Sequence, residues 1–193
     1  MTSPIDPIEV ALTVTRILDG LGIAHTIGGS IAASFAGEPR ASIDIDIVAA
    51  LDEPRVPELV SALRGEFYVD EAALRRAVRQ RSRTNLVHQP TQLKVDLFVA
   101  GGTPLDAQQL ERRLAVDVGN ARILHIHPPE DILLQKLRWY KDGREVSDRQ
   151  WRDILGIVRT QGAALDHDYL DRNAPVLGVE DLLARALSDA GPV

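Results

Sequence analysis

The residues of this chain best suited to chemistry are three carboxylates and a glycine turn. Residues 43–48 read Ile-Asp-Ile-Asp-Ile-Val. Aliphatic residues alternating with others predict a strand, although Asp is depleted in strands. Residues two apart on a strand share a face, with Cα atoms about 6–7 Å apart. Ile43, Ile45 and Ile47 are then the core side, and Asp44 and Asp46 project together from the other. A third carboxylate, Asp96, sits in Leu-Lys-Val-Asp-Leu-Phe-Val with Val95 and Leu97 facing inward. If these strands are neighbours, three carboxylates converge and repel unless a cation lies among them. Hard cations such as Mg²⁺ prefer oxygen ligands. The competing reading is the solvated face of a one-sided sheet. A calcium loop of the EF-hand type is excluded, because its fifth and sixth positions would be Val48 and Ala49, where an oxygen ligand and Gly are required.

Upstream, Gly28-Gly29-Ser30 lies between a predicted strand and a predicted helix. Glycine lets backbone approach a ligand, and a helix start offers unpaired N–H groups to an anion. Ser30 can cap that helix or contact a phosphate. No Gly-Lys-Ser/Thr follows, and a third glycine in a βαβ setting is missing, so neither common phosphate fingerprint is present. Taken in order, the turn, the Asp pair and Asp96 describe a site for a nucleoside triphosphate bound through Mg²⁺.

The elements that must position these groups can be read along the chain. A helix is predicted over 8–21, ended by Gly20 and Gly22, then a short strand at 23–27. A short helix at 31–36 and a strand at 42–50 follow. Next come a helix to about Leu63, a strand at 66–70 and a helix at 71–80. Strands at 84–88 and 92–100 flank a turn at His88-Gln89-Pro90-Thr91, which predicts an antiparallel hairpin. Residues 102–120 read as a polar, mixed stretch. A late strand covers 121–127. Pro129 followed by acidic residues marks a helix start, and three more helices follow Ser147. The expected class is α+β: a mixed or antiparallel sheet flanked by helices, then a helical C-terminal part. The expected boundary gives an α/β core over 1–127 and a helical region over 128–193 packed on it.

Gly-Gly-Ser, thirteen residues, Asp-Ile-Asp-Ile and a later strand Asp together resemble the nucleotidyltransferase superfamily with the DNA-polymerase-β-type palm, in its minimal, abortive-infection-toxin-like branch. Ser42 stands where many relatives carry Thr. The resemblance implies that Gly28, Gly29 and Ser30 hold the triphosphate, and that Asp44, Asp46 and Asp96 ligate Mg²⁺, one ion or two. Asp96 is also the implied base for the attacking hydroxyl. It further implies transfer of a nucleoside monophosphate from a nucleoside triphosphate to an acceptor hydroxyl on RNA (a tRNA 3′ end among them), protein or a small molecule. A toxin with an antitoxin partner is the implied setting. Arg40 is a candidate phosphate contact or a surface ion pair. Lys136, then Asp148 and Asp153, echo a helical segment of toxin-like relatives, where Lys136 would reach phosphates and Asp153 would line the same cleft; Ser147 stands where those relatives often carry Lys. The alternatives are a non-catalytic protein of the same fold that binds nucleotide or a partner, and a purely structural protein.

Other features are weighed against these. Arg75, Arg76, Arg79, Arg81 and Arg83 read as a solvated helix face or a platform for RNA, without interleaved aromatics for base stacking. His125 and His127 share a strand face as ordinary strand residues or a metal pair. Trp139, Tyr140 and Trp151 read as helix packing or as the wall of a base pocket. The chain of 193 residues has 45% apolar residues, no cysteine and a net charge of −6. This excludes disulfide and thiolate–metal scaffolds and argues against non-specific nucleic-acid binding. No apolar run reaches membrane-spanning length, and the N-terminus lacks a signal pattern, so a cytoplasmic protein is expected.

Overall fold

A computed structural model of the chain describes residues 6–37, 44–101 and 104–191. Arg40, Ser42 and Ile43 lie outside these residues. The described chain falls into two units by contact. One holds the residues up to Ile31 and from Asp44 to His127, and the other holds Ala32–Gly37 and the residues from Pro128 onward.

The first unit is built on a seven-stranded mixed sheet. Its strands are β1 (His25–Ile27), β2 (Ile45–Ala49), β3 (Phe67–Val69), β4 (Arg83–His88), β5 (Lys94–Val99), β6 (Leu114–Asp117) and β7 (Ile123–Ile126). Their spatial order is β3-β4-β5-β2-β1-β7-β6. β2 runs parallel to β5, and β1 runs antiparallel to β2 and parallel to β7. The predicted hairpin is present: β4 and β5 are antiparallel, and the His88 N–H donates to the Leu93 carbonyl across the turn.

Alternation decides which side of the sheet becomes core. Ile45, Ile47, Leu86, Val95 and Leu97 are all at most 1% exposed. This face packs with α1 (Pro7–Gly20), α3 (Val56–Leu63) and α4 (Glu71–Gln80). Their starts follow local chemistry. Asp6 accepts from the Ile8 N–H and Asp70 from the Ala73 N–H, each satisfying an otherwise orphaned donor. The opposite face is only partly covered. There, Leu110 of α5 (Pro104–Glu111) clusters with Val48 and Ala100, with Phe98 packed beside them. Both α5 and β6 fall within the polar, mixed stretch to which no element was assigned from sequence.

α2 (Gly29–Ala36) starts two residues earlier than its sequence pattern predicts. The second unit holds α6 (Pro129–Asp142), α7 (Asp148–Gln161), α8 (His167–Leu177) and α9 (Glu180–Asp189), at the predicted places. Ser147 caps α7 and Asp166 caps α8 through side-chain acceptors. The Tyr140 and Trp151 rings meet at 5.1 Å, and the Arg185 guanidinium lies 4.3 Å from the Trp151 ring. Helix packing is therefore what these two aromatics do. Inside this unit Tyr169 donates its hydroxyl to Oδ1 of the fully buried Asp131 at 2.6 Å. Tyr169→Phe removes that donor from a group that cannot reach water. It is expected to lower unfolding free energy by about 2 kcal/mol, read as a reduced urea midpoint at unchanged m-value.

Candidate active site

Strand register brings the carboxylates together. In the parallel pair β2–β5, Ile45 lies beside Val95, and Asp46 beside Asp96. Neighbouring strands are about 4.8 Å apart, and both Asp side chains are half-buried on the same face. Asp44 precedes the first residue of β2 and is exposed. It lines a cleft of about 250 Å³ with Ile45, Arg83, Asn85, Lys94 and Asp96.

The glycine turn is clamped onto the same strand. Gly28 donates its N–H to the Asp46 carbonyl at 2.9 Å, and the Ser30 hydroxyl donates to the Asp44 carbonyl at 3.2 Å. Ser30 is thus tied to the Asp strand. Gly29 has φ +56, and a Cβ there would stand 1.7 Å from Asp46 Oδ2. Only glycine fits, for conformational and steric reasons together. The backbone at the start of α2 and the Asp46 carboxylate are therefore held in direct contact.

The remaining wall comes from the hairpin. Asn85 lies opposite Asp96 in the β4–β5 register. Arg83 places its guanidinium 3.6 Å from Asp96 Oδ2. Lys94, two residues before Asp96, shares its side of β5. Asn85 and Lys94 were not singled out from sequence, although strand alternation and the hairpin turn carry the signal for both. The basic run that includes Arg83 does not form one surface. Arg75 pairs with Glu71 at 2.9 Å and Arg79 with Glu53 at 3.0 Å. Arg81 donates to the carbonyls of Leu51 and Ala100. Of the two readings, the solvated helix face is the one that the partly exposed ion pairs of Arg75 and Arg79 on α4 fit.

Lys136 and Asp153 belong to the second unit, where they form a buried salt bridge of 3.0 Å between α6 and α7. His125 in β7 and His127 just past its end diverge in surroundings. His127 is fully buried with neither ring nitrogen hydrogen-bonded. Burial pushes its pKa down to about 4, against the pull of Asp106. His125 instead stands beside His25, and His127 is not part of that cluster.

This sheet order with its carboxylates and glycine turn is the nucleotidyltransferase fold. The antibiotic-resistance factor ANT(2'')-Ia aligns over 89% of this chain and 96% of its own, with TM-score 0.56 and 15% identity. It has also been solved with adenylyl-2''-tobramycin. An antigenic nucleotidyltransferase-like protein from Paracoccidioides brasiliensis aligns over 94% of this chain and 91% of its own, with TM-score 0.57 and 17% identity. The lincosamide antibiotic adenylyltransferase LnuA, solved with lincomycin, aligns over 80% and 98%, with TM-score 0.51 and 13% identity. No protein-family profile and no curated protein matches the sequence. The toxin-like branch is not distinguished by these likenesses, which establish the fold.

The Gly29–Asp46 contact gives a direct test of the site's construction. Gly29→Ala adds a methyl at a positive φ and against a carboxylate oxygen. It is expected to cost at least about 2 kcal/mol of stability. The loss is read as a reduced urea midpoint at unchanged m-value.

Proposed function

We propose that this chain is a Mg²⁺-dependent nucleotidyltransferase that moves a nucleoside monophosphate from a nucleoside triphosphate to an acceptor hydroxyl. The observation that carries the reading is the juxtaposition of Asp46 with Asp96 in strand register, with Gly29 packed against the Asp46 carboxylate. The donor set fits the cation: Asp44, Asp46 and Asp96 offer oxygen only, and hard divalent ions take oxygen ligands. When bound, Mg²⁺ supplies charge neutralisation for the attacking and leaving oxygens of an in-line displacement.

The chain's own residues do the rest. Gly28, Gly29 and Ser30 present the backbone start of α2 to the phosphates. Asp96, beside the cleft, accepts the proton of the attacking hydroxyl. The Arg83 guanidinium, 3.6 Å from Asp96, and Lys94 in the same cleft supply positive charge where a polyphosphate would enter. Arg40 lies outside the described residues, and its two readings, a phosphate contact or a surface ion pair, both stand. The acceptor is a hydroxyl-bearing molecule; two of the structural neighbours are antibiotic-linked proteins, which makes a small molecule the first acceptor class to screen, ahead of RNA and protein. A toxin setting with an antitoxin partner rests on the sequence resemblance alone. None of the helices described is long and apolar enough to cross a membrane, and we propose a cytoplasmic location.

The test is Mg²⁺-dependent pyrophosphate release from nucleoside triphosphates in the presence of candidate acceptors. Joint Asp44→Ala and Asp46→Ala substitution is expected to reduce release by roughly 10³-fold or more, with the circular-dichroism spectrum unchanged. Release that survives the substitution would remove these residues from the chemistry. Nucleotide binding without release in any acceptor screen would instead support a non-catalytic binding protein.

Lys136 and Asp153 need a separate test, because their salt bridge alone gives them a structural reason to exist. Asp153→Asn leaves a buried ammonium without its carboxylate and is expected to cost about 2 kcal/mol. A nucleotide role predicts in addition a rise in KM for the triphosphate when rates are normalised to folded protein. An unchanged KM assigns the pair to helix packing only.

A further inference from the structure

A second cluster of metal-ligating side chains lies at the other end of β1 and β2. In their antiparallel register His25 is opposite Ala49 and Ile27 opposite Ile47. His25 is therefore displaced from Asp46 by three residues, about 10 Å along the strand. Asp19 lies in the last turn of α1. The chain folds back there, with the Gly22 N–H on the Asp19 carbonyl and the Ile23 N–H on the Leu18 carbonyl. This return brings the Asp19 carboxylate to 3.8 Å from His25 Nδ1. His125 arrives from β7, the parallel neighbour of β1, and its ring meets His25 edge-on at 5.9 Å between centroids. One ligand atom from each of Asp19, His25 and His125 lies within 4.8 Å of the other two. Bonds of about 2.0–2.1 Å to a tetrahedral ion require ligand atoms about 3.4 Å apart, so the exposed Asp19 carboxylate, now nearest Nδ1, has to swing toward the Nε2 side of the ring to complete the set.

An independent observation concerns His25 itself. It is only 2% exposed, and its Nε2 has no hydrogen-bond partner. Its Nδ1 sits 3.1 Å from the Ile23 carbonyl. A proton on Nδ1, donated to that carbonyl, leaves Nε2 as a bare lone pair. Metal-ligating histidines commonly give their second ring N–H to a backbone carbonyl in this way. Burial lowers the His25 pKa, as do His125 and Arg113, while Ile23 and Asp19 raise it.

We propose that Asp19, His25 and His125 form a second metal site, one that takes a divalent transition metal of the Zn²⁺ class. Two imidazoles and one carboxylate are a nitrogen-rich set that suits zinc and is foreign to Mg²⁺. The ion would tie the end of α1 to β1 and β7, which is a structural task remote from the carboxylate cleft.

Metal-free full-length protein is titrated with Zn²⁺ against a chromophoric chelator, and with Co²⁺ to read the visible absorption of a tetrahedral nitrogen/oxygen site. The variants are Asp19→Asn, His125→Ala and the joint Asp44→Ala, Asp46→Ala protein. Asp19 is exposed and His125 half-buried, so neither substitution empties the core. One equivalent of Zn²⁺ is expected in the unsubstituted chain and in the joint variant. Affinity should fall by about 100-fold or more in Asp19→Asn and in His125→Ala, with loss of the cobalt band. Absence of stoichiometric Zn²⁺ binding in the unsubstituted chain overturns the proposal. So does binding that persists in both single variants, or that disappears in the joint one.

Discussion

The contact on which the candidate active site depends is that between the Gly29 backbone and the Asp46 carboxylate. It fixes two things at once. It sets how closely the first turn of α2 approaches β2, because a Cβ at Gly29 would stand 1.7 Å from Asp46 Oδ2. It also holds that carboxylate on the open side of the sheet beside Asp96. The Gly28 and Ser30 hydrogen bonds to the Asp46 and Asp44 carbonyls close the clamp. A charged group at a helix start also sits in the favourable end of the helix dipole only when negative. Asp46 therefore occupies part of the ground that an incoming phosphate would want. An added cation reconciles the two, since it draws carboxylate and phosphate to itself.

The parts of this site that alternation specifies were legible in the sequence. Ile45, Ile47, Val95 and Leu97 mark the buried face, and period two then places Asp46 and Asp96 on the other. The parallel pairing of β2 with β5 was not legible, because nothing local states which strands adjoin. The hairpin turn was legible, but the register that sets Asn85 opposite Asp96 is centred between Pro90 and Thr91, one residue past the centre of the turn read at His88–Thr91, and the sequence did not specify it. Arg40 fell in a segment outside the described residues.

The two elements inside the polar, mixed stretch have physical reasons for their silence. Buried hydrophobic contacts of α5 come from Leu105 and Leu110, five residues apart, which matches no helical face pattern. β6 is an edge strand in which no residue is buried, so it carries no inward–outward alternation to read. The grouping of Ala32–Gly37 with the C-terminal helices is equally silent. It shows in contacts such as that of the Gln161 side-chain amide with the Ala36 carbonyl at 2.8 Å, between residues remote in sequence. The His125–His25 encounter is likewise non-local. Adjacent spacing suggested pairing His125 with His127, whereas the parallel β1–β7 pairing sets it against a residue a hundred positions earlier.

The two clusters along β1 and β2 differ in a way that keeps their chemistry separate. Asp44, Asp46 and Asp96 provide oxygen donors alone, on an open cleft that also holds Arg83 and Lys94. A site of that kind is weak without phosphate oxygens to complete it, because Mg²⁺ gives up its water reluctantly. In the proposed reaction, cation and triphosphate would stabilise each other in the cleft. Asp19, His25 and His125 differ: one ligand ring is enclosed, its lone pair lacks an alternative partner, and three protein ligands would leave the fourth tetrahedral position to water. Affinity for transition metals over Mg²⁺ follows from the imidazoles. A zinc ion would therefore partition to the histidine end of the sheet before it competes for the carboxylates. The same strand pair can then carry a substrate-linked ion at one end and a permanent one at the other.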